Sequence, residues 1–400
     1  MGVKKMNFDS LTEFLIFLTD EKHIPTVDMQ VFVKGDKVYD FRRGLKDGKN
    51  PVEIDNLYNL YSVSKVITCT AALQLYEKGK FLLTDPLCEY FPEFKEMYVK
   101  DDNGEDFGNA VSQGQKIVYA DNSPKIRKAE NPILIKDLFN MTAGFDYNLN
   151  SAAVKHILKE QDGVFKTQDI AKALSQTPLS FEPGTRWNYS LCHDLLGAFI
   201  EKISGMKFSE YLKKNIFEPL GMDSFTFERN DEIYEKMVDQ FEYDCNLGYA
   251  RKISKNCGYI IGKGYESGGA GLCGSPEDYG KFVCAMSMGG TGRSGNRILS
   301  ENTINLIKQD FLTDETRKTF NWIQLSGYGY GLGVRTHIAP QSGGGLSPLN
   351  EFGWGGAAGA YVLIDTKNNV GIYYAQHMKN NLEPYVHPRL RNITYSCLDK

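Results

Sequence analysis

Up to Tyr61 the apolar residues alternate with polar ones. In TVDMQVFVKGDKVYDFRRG two alternating runs flank Gly35–Asp36, the pattern of a hairpin. Beyond Tyr61 the period lengthens. Val66, Cys69 or Thr70, Leu73 and Tyr76 recur at helical spacing, and Gly79 stands where a helix-ending glycine belongs. Upstream, Ser10–Thr19 suggests a first helix. The middle of the chain keeps the helical period, most clearly over Pro132–Asn140, Leu191–Ser204 and Phe208–Ile216. Pro276–Met288 and Glu301–Gln309 are predicted to follow as helices. The last third returns to strands. YGYGLGVRT reads as one strand, and AYVLID and VGIYYAQ as two more joined by Lys367–Asn368–Asn369. A closing helix is expected over Glu383–Cys397, with Pro384 and Pro388 limiting where it starts.

Strands at both ends and helices between them predict an α+β chain: an antiparallel sheet built from both termini and flanked by helices, with a mainly helical lobe inserted. The expected boundaries put residues 1–61 and 266–400 in the sheet region and 62–265 in the lobe. Residues 100–131, rich in Asp, Asn, Gly and Ser, read as a polar surface insertion with one short strand at Lys116–Tyr119. Within it KIRK, Lys125–Lys128, reads as a solvated loop.

Composition removes several partners. The 400 residues carry a net charge of −4, which offers no basic face to nucleic acid or to an anionic membrane. The N-terminal apolar patch, Phe14 to Leu18, is too short for a signal core or a membrane span. Eight cysteines form no C-x-x-C pair and several sit in apolar runs such as KFVCAM, a usage that fits a reducing compartment. A soluble, cytoplasmic protein is expected. The six histidines lack metal-ligand spacing, and the glycine runs GGAGLCG and GYGYGLG are not followed by Lys-Ser/Thr, so neither metal nor cofactor is expected.

Three segments carry candidate chemistry. In Ser62–Val63–Ser64–Lys65, residues three apart share a helix face, so hydroxyl and amine can meet. A serine is a weak nucleophile until a base takes its proton, and a lysine serves as that base when its surroundings favour the neutral amine. The plainer alternative is that Ser62 or Ser64 only caps the helix. A second S-x-x-K, Ser204–Lys207, contains Gly205, a helix stop that separates its two groups. In FEPGTRWNYSLCHD, Tyr189 precedes a helix and can relay protons; its plainer role is packing. His193 and Asp194 are neighbours on that helix and do not face each other as triad members would; Asp194 is expected to complement the helix N-terminus. In EFGWGGAAGAYVLID, Gly353, Gly355 and Gly356 let a strand approach a substrate, and an amide there could join that of Ser62 in holding an oxyanion. Trp354 is either pocket wall or core. No G-x-S-x-G elbow exists in the chain.

Together YSVSK, ILIKDLFNMTAGF, PGTRWNYS, IFEPLGMDSF, GGAGLCGSPEDYGKF, YGYGLGV and GWGGAAG resemble, in order, the serine β-lactamase and penicillin-binding-protein superfamily. Within it they resemble the class C-like branch of carboxylesterases, D-aminopeptidases and transesterases. The resemblance implies a β-lactamase/transpeptidase-like fold with the site between sheet and lobe. It implies Ser62 as acylated nucleophile, Lys65 and Tyr189 sharing the proton transfers, the amides of Ser62 and Ala357 as oxyanion hole, and Trp354, Gly355 and Gly356 at the substrate pocket. Two motifs depart from the pattern. Tyr-x-Asn is here Tyr189–Ser190–Leu191, and Lys-Thr-Gly or His-x-Gly is here Trp354–Gly355–Gly356. An indole cannot hold a carboxylate as a cation would, so an apolar ester or acyl substrate is favoured over an acidic one. The expected function is a serine hydrolase of small-molecule esters or simple amides. The alternatives are a β-lactamase, a D,D-peptidase or D-aminopeptidase, and a sensor module that keeps the fold without turnover.

Overall fold

The computed structural model describes residues 6–105, 110–113, 116–119 and 125–398. Seven strands form the main sheet: β1 (Thr26–Val33), β2 (Asp36–Gly44), β3 (Tyr328–Tyr330), β4 (Arg335–His337), β5 (Phe352–Gly353), β6 (Tyr361–Asp365) and β7 (Val370–Ala375). Their order is β3-β4-β5-β6-β7-β1-β2, every neighbouring pair antiparallel. The two ends of the chain thus share one sheet, joined where Val31 faces Ile372 across β1 and β7. Five helices organise the rest: α1 (Asp9–Asp20), α2 (Ser64–Glu77), α3 (Cys192–Ser204), α4 (Pro276–Ser287) and α5 (Glu383–Leu398).

Both faces of the sheet are covered, and its central strands β6, β7 and β1 are buried at nearly every position. Met29, Val31, Leu363 and Ile372 pack with Leu11, Leu15 and Leu18 of α1 and with Val386 and Leu390 of α5. On the other face Val362, Ile364 and Tyr373 join Tyr279, Phe282 and Val283 of α4, with the Tyr279 and Tyr373 rings stacked at 4.5 Å. Each such aliphatic side chain contributes about 1.5–3 kcal/mol on burial.

α2 is the buried axis of the helical side. Every residue from Ser64 to Leu75 is buried. Its two buried threonines at 68 and 70 are bonded: Thr68 donates to the carbonyls of Ser64 (3.1 Å) and Gly268 (2.7 Å), and Thr70 to that of Val66 (2.8 Å). α2 packs against α3, which ends at Gly205 in the left-handed conformation, φ +69°.

Several local expectations shift. YGYGLGVRT is two strands, not one: β3 and β4 form a hairpin whose turn passes through Gly333 at φ +85°. A Cβ there would lie 2.2 Å from Cys69 Sγ, so the turn is pressed against α2 and only glycine fits. The helix expected over Pro132–Asn140 spans only Ile135–Phe139, because the Asp137 carboxylate caps the amide of Leu134 at 2.9 Å. Phe208–Ile216 leaves regular α geometry after Leu212 and continues as a wider turn over Lys213–Phe217. The helix at Glu301 ends at Ile307, and α5 runs through Pro388 from Glu383. In KIRK, Ile126–Lys128 is a strand paired with Tyr98–Lys100, held by Arg127 to Asp101 (2.6 Å) and Glu182 (2.8 Å). Lys116–Tyr119 is a strand, paired with Ala110–Gln113. The remainder of the insertion at 106–109, 114–115 and 120–124 lies outside the described residues.

Candidate active site

Ser62 sits in a single 3-10 turn, Tyr61–Val63, that feeds directly into α2. Tyr61 takes φ +49°, an uncommon conformation for an aromatic residue, and holds it because its ring is buried and its hydroxyl donates to Gln240 Oε1 at 2.5 Å. The Val63 carbonyl accepts from Tyr279 at 2.7 Å. The turn is therefore fixed from two sides. Neither serine caps α2; the capping position is Val63, which has no acceptor side chain, and the Ser64 hydroxyl is buried without a partner.

Lys65 is fully buried. Its Nζ donates to the Gly269 carbonyl (2.7 Å), to the Tyr147 hydroxyl (3.1 Å) and to Ser62 Oγ (3.4 Å). Three acceptors match the three N–H bonds of an ammonium. With the proton gone, two donors remain for Gly269 and Tyr147, and the lone pair falls to Ser62. The amine also lies over the Tyr189 ring, 4.6 Å from its centroid, and 5.1 Å from that of Tyr147.

The two tyrosines meet Lys65 differently. Tyr147 presents its hydroxyl, whereas Tyr189 presents its ring face and uses its hydroxyl to accept from Trp354 Nε1 at 3.2 Å. Their rings stack at 5.5 Å, and Trp354 also stacks on Tyr189, at 5.7 Å. Burial pushes the Tyr147 phenol well above its ordinary value, and the Asp194 carboxylate adds to this. Tyr147 is thus a neutral hydroxyl at rest. It was not singled out from sequence, although it lies two residues beyond ILIKDLFNMTAGF. The Gly269 carbonyl was missed as well, since a backbone acceptor carries no residue signal.

Ser62, Tyr147, Tyr189 and Trp354 line one pocket of about 400 Å³, together with Gly355, Gly356 and Ala357. A Cβ on Gly356 would lie 2.8 Å from the Leu60 carbonyl, so glycine lets this segment close on the turn that carries Ser62. Asn381 Nδ2 binds the carbonyls of Ala357 (3.0 Å) and Gly356 (3.3 Å). In a trans peptide the amide points opposite to the carbonyl, so anchoring the Gly356 carbonyl turns the Ala357 N–H the other way.

The neighbouring candidates separate. His193 is buried with Nε2 at 3.0 Å from the Phe139 carbonyl, and burial pushes its imidazole down to about 3. Asp194 lies in the first turn of α3, as expected, and has a second role. Its side chain turns inward and accepts from Tyr265 (2.7 Å) and Ser267 (2.5 Å), because these buried hydroxyls need an acceptor. In the second S-x-x-K, Lys207 pairs with Glu266 at 2.5 Å. Among the described residues no group of three or more His, Cys, Asp or Glu is placed to hold a metal, and no helix is long and apolar enough to cross a membrane.

A seven-stranded antiparallel sheet from both chain ends, with a serine and a lysine at the head of a buried helix beside it, defines the class: a β-lactamase/transpeptidase-like fold. A model of the Beta-lactamase family matches residues 11–393, and the chain belongs to that family. Esterase EstB of Burkholderia gladioli is 26% identical over 357 residues, which cover 83% of this chain and 80% of that protein. Lovastatin esterase of Penicillium rubens is 26% identical over 350 residues, 82% of this chain and 80% of its own. The solved structure of EstCE1, described as a hydrolase with promiscuous acyltransferase activity, superposes with a TM-score of 0.74 at 21% identity, over 98% of this chain and 97% of that one.

Proposed function

We propose that this protein is a serine hydrolase that cleaves small carboxylic esters, and simple amides more slowly, through an acyl-enzyme on Ser62. The observation that carries the reading is the Lys65 amine, fully buried and 3.4 Å from Ser62 Oγ, with two other acceptors that satisfy it once it is neutral. The relatives named as esterases support the same reading.

Ser62 Oγ attacks the ester carbonyl as its proton passes to Lys65 Nζ. The carbonyl oxygen becomes an oxyanion held by the amides of Ser62 and Ala357. The C–O bond to the leaving alcohol breaks, and the alkoxide takes the proton from Lys65, with the Tyr147 hydroxyl as relay. Water then attacks the acyl-enzyme, giving its proton to Lys65, and the acid departs as Ser62 is reprotonated. Tyr189 acts beside this path: its ring faces the lysine charge and its hydroxyl is held by Trp354. If an alcohol takes the place of water, the same site transfers the acyl group; the acyltransferase activity in the description of EstCE1 supports that variant. Six of the eight cysteines are buried as small apolar groups, which supports a cytoplasmic setting.

Turnover of p-nitrophenyl acetate, followed with intact-mass spectrometry, tests the reading. The expected result is steady release of p-nitrophenol with a transient acetyl adduct, both lost in Ser62→Ala. A stable adduct without turnover marks a sensor module. Rapid hydrolysis of nitrocefin with little ester cleavage marks a β-lactamase. Turnover that persists in Ser62→Ala removes the proposal.

A further inference from the structure

Part of the Ser62 pocket lining is charged. Arg335 of β4 and Arg391 of α5 both line it, and their residues are only 3% and 4% exposed. Arg335 pairs across the sheet with Gly353, the residue before Trp354, and Arg391 lies two helical turns beyond Glu383, so strand and helix converge on one wall. The two guanidinium groups flank the same ring: Arg335 lies 5.3 Å and Arg391 5.6 Å from the Tyr328 centroid, and Arg335 also lies 4.6 Å from that of Tyr361.

Their hydrogen bonds go to neutral groups. Arg335 donates to the Val362 carbonyl at 3.0 Å and is bonded to Tyr328 and Tyr361, and Arg391 donates to the Tyr328 hydroxyl at 2.5 Å and to Asn392 Oδ1 at 3.3 Å. Among the described residues neither guanidinium has a carboxylate within 4 Å. Two carboxylates are near. Glu351 is buried and accepts from Tyr328 and from Ser347, while Glu383 is paired with His387 at 3.6 Å. One buried carboxylate thus stands against two buried guanidinium groups. The Glu351 charge acts on both, and two guanidinium groups that share one buried carboxylate are suited to a second anion of planar, two-oxygen geometry.

We infer that Arg335 and Arg391 form a carboxylate-binding subsite, and that the preferred substrates are esters bearing a free carboxylate on the acyl chain or on the leaving alcohol. This rests on the proposal that Ser62 is the nucleophile, and it reverses the expectation drawn from Trp354. The cation missing from position 354 is supplied instead by β4 and α5, in the lining of the same pocket. The aromatic wall takes the hydrocarbon part of the substrate and the arginines take its charge.

Two substrate pairs test this with the wild-type protein. One is the mono-p-nitrophenyl ester of glutaric acid against its methyl ester, which places the charge on the acyl chain. The other is the acetate ester of 4-hydroxybenzoic acid against that of methyl 4-hydroxybenzoate, which places it on the leaving group. In at least one pair the carboxylate member is expected to lead in kcat/KM by about tenfold or more. Arg391→Gln, confirmed as folded by its thermal transition, should bring that ratio close to one. A second measurement needs no turnover. Ser62→Ala is titrated with glutarate and followed by the fluorescence of Trp322 and Trp354, which line the pocket. Saturable binding is expected, weakened at least about tenfold by adding Arg391→Gln. Arginine-dependent glutarate binding without any ester turnover would leave the subsite standing and remove the hydrolase. Ester turnover with no carboxylate preference in either pair, or a preference that survives Arg391→Gln, would overturn the subsite alone.

Discussion

Tyr147→Phe separates the two tyrosines at the site. The substitution removes one oxygen and keeps the ring, so the stacking on Tyr189 at 5.5 Å survives. What is lost is the acceptor 3.1 Å from Lys65 Nζ. The amine is fully buried. A hydrogen bond to a charged group contributes about 1.5–3 kcal/mol. At 1.36 kcal/mol per factor of ten, this corresponds to a fall of about 10- to 150-fold in kcat for p-nitrophenyl acetate. Tyr189→Phe instead removes a neutral indole–phenol bond of 3.2 Å, about 0.5–1.5 kcal/mol, and leaves the ring under the lysine. Its loss should stay at or below about tenfold. Steady-state kinetics of both variants, with thermal midpoints to confirm folding, decide between them. If Tyr189→Phe loses about a hundredfold or more while Tyr147→Phe stays within about threefold, the relay runs through Tyr189 and the assignment of Tyr147 is wrong.

Further predictions concern stability and the approach of strand to nucleophile. Burial raises the Asp28 carboxyl from 3.8 to about 7, against the opposing charge of Arg42 at 3.3 Å. The folded protein therefore keeps a proton that the unfolded chain releases above about pH 4, and stability falls as pH rises from about 4 to 7, by an upper limit of about 4 kcal/mol. Urea midpoints at pH 5 and pH 8 should drop for the wild type and not for Asp28→Asn; parallel behaviour of the two would refute the cause. Gly333→Ala places a methyl 2.2 Å from Cys69 Sγ at φ +85°, and calorimetry should show a loss on the order of 1–3 kcal/mol or more; an unchanged transition would contradict the packing of the hairpin on α2. Gly356→Ala pushes against the Leu60 carbonyl at 2.8 Å, so kcat should fall about tenfold or more with KM less affected, and wild-type kinetics would show that this contact does not set the position of the Ala357 amide.

Legibility followed the range of the interaction. Hairpin β1–β2, helix α2 with its glycine stop, and the β6–β7 pair were readable because their patterns close within about ten to twenty residues. Where YGYGLGVRT was read as continuous, its alternation was real, but the fold to two strands depends on Gly333 meeting Cys69, a contact invisible in the segment itself. KIRK looked like a solvated loop because its charge pattern was read without Asp101 and Glu182, which pair with Arg127. The partners of Asp194 were hidden for the same reason, since Tyr265 and Ser267 lie more than seventy residues on.

The order of amino acids by itself determined that Ser62 and Lys65 share a helix face, that strands at the two termini enclose a helical region, and that glycines follow Trp354, since each is a matter of local spacing and backbone freedom. Only tertiary packing decided which hydroxyl meets the buried amine: Tyr147, 82 positions from Lys65, arrives with its oxygen, and Tyr189 arrives with its ring. Packing likewise brought Arg335 and Arg391 into the lining of the nucleophile's pocket. Such pairings are set by how whole elements bury their apolar faces against one another, and residue periodicity along one element contains no record of the element it will face.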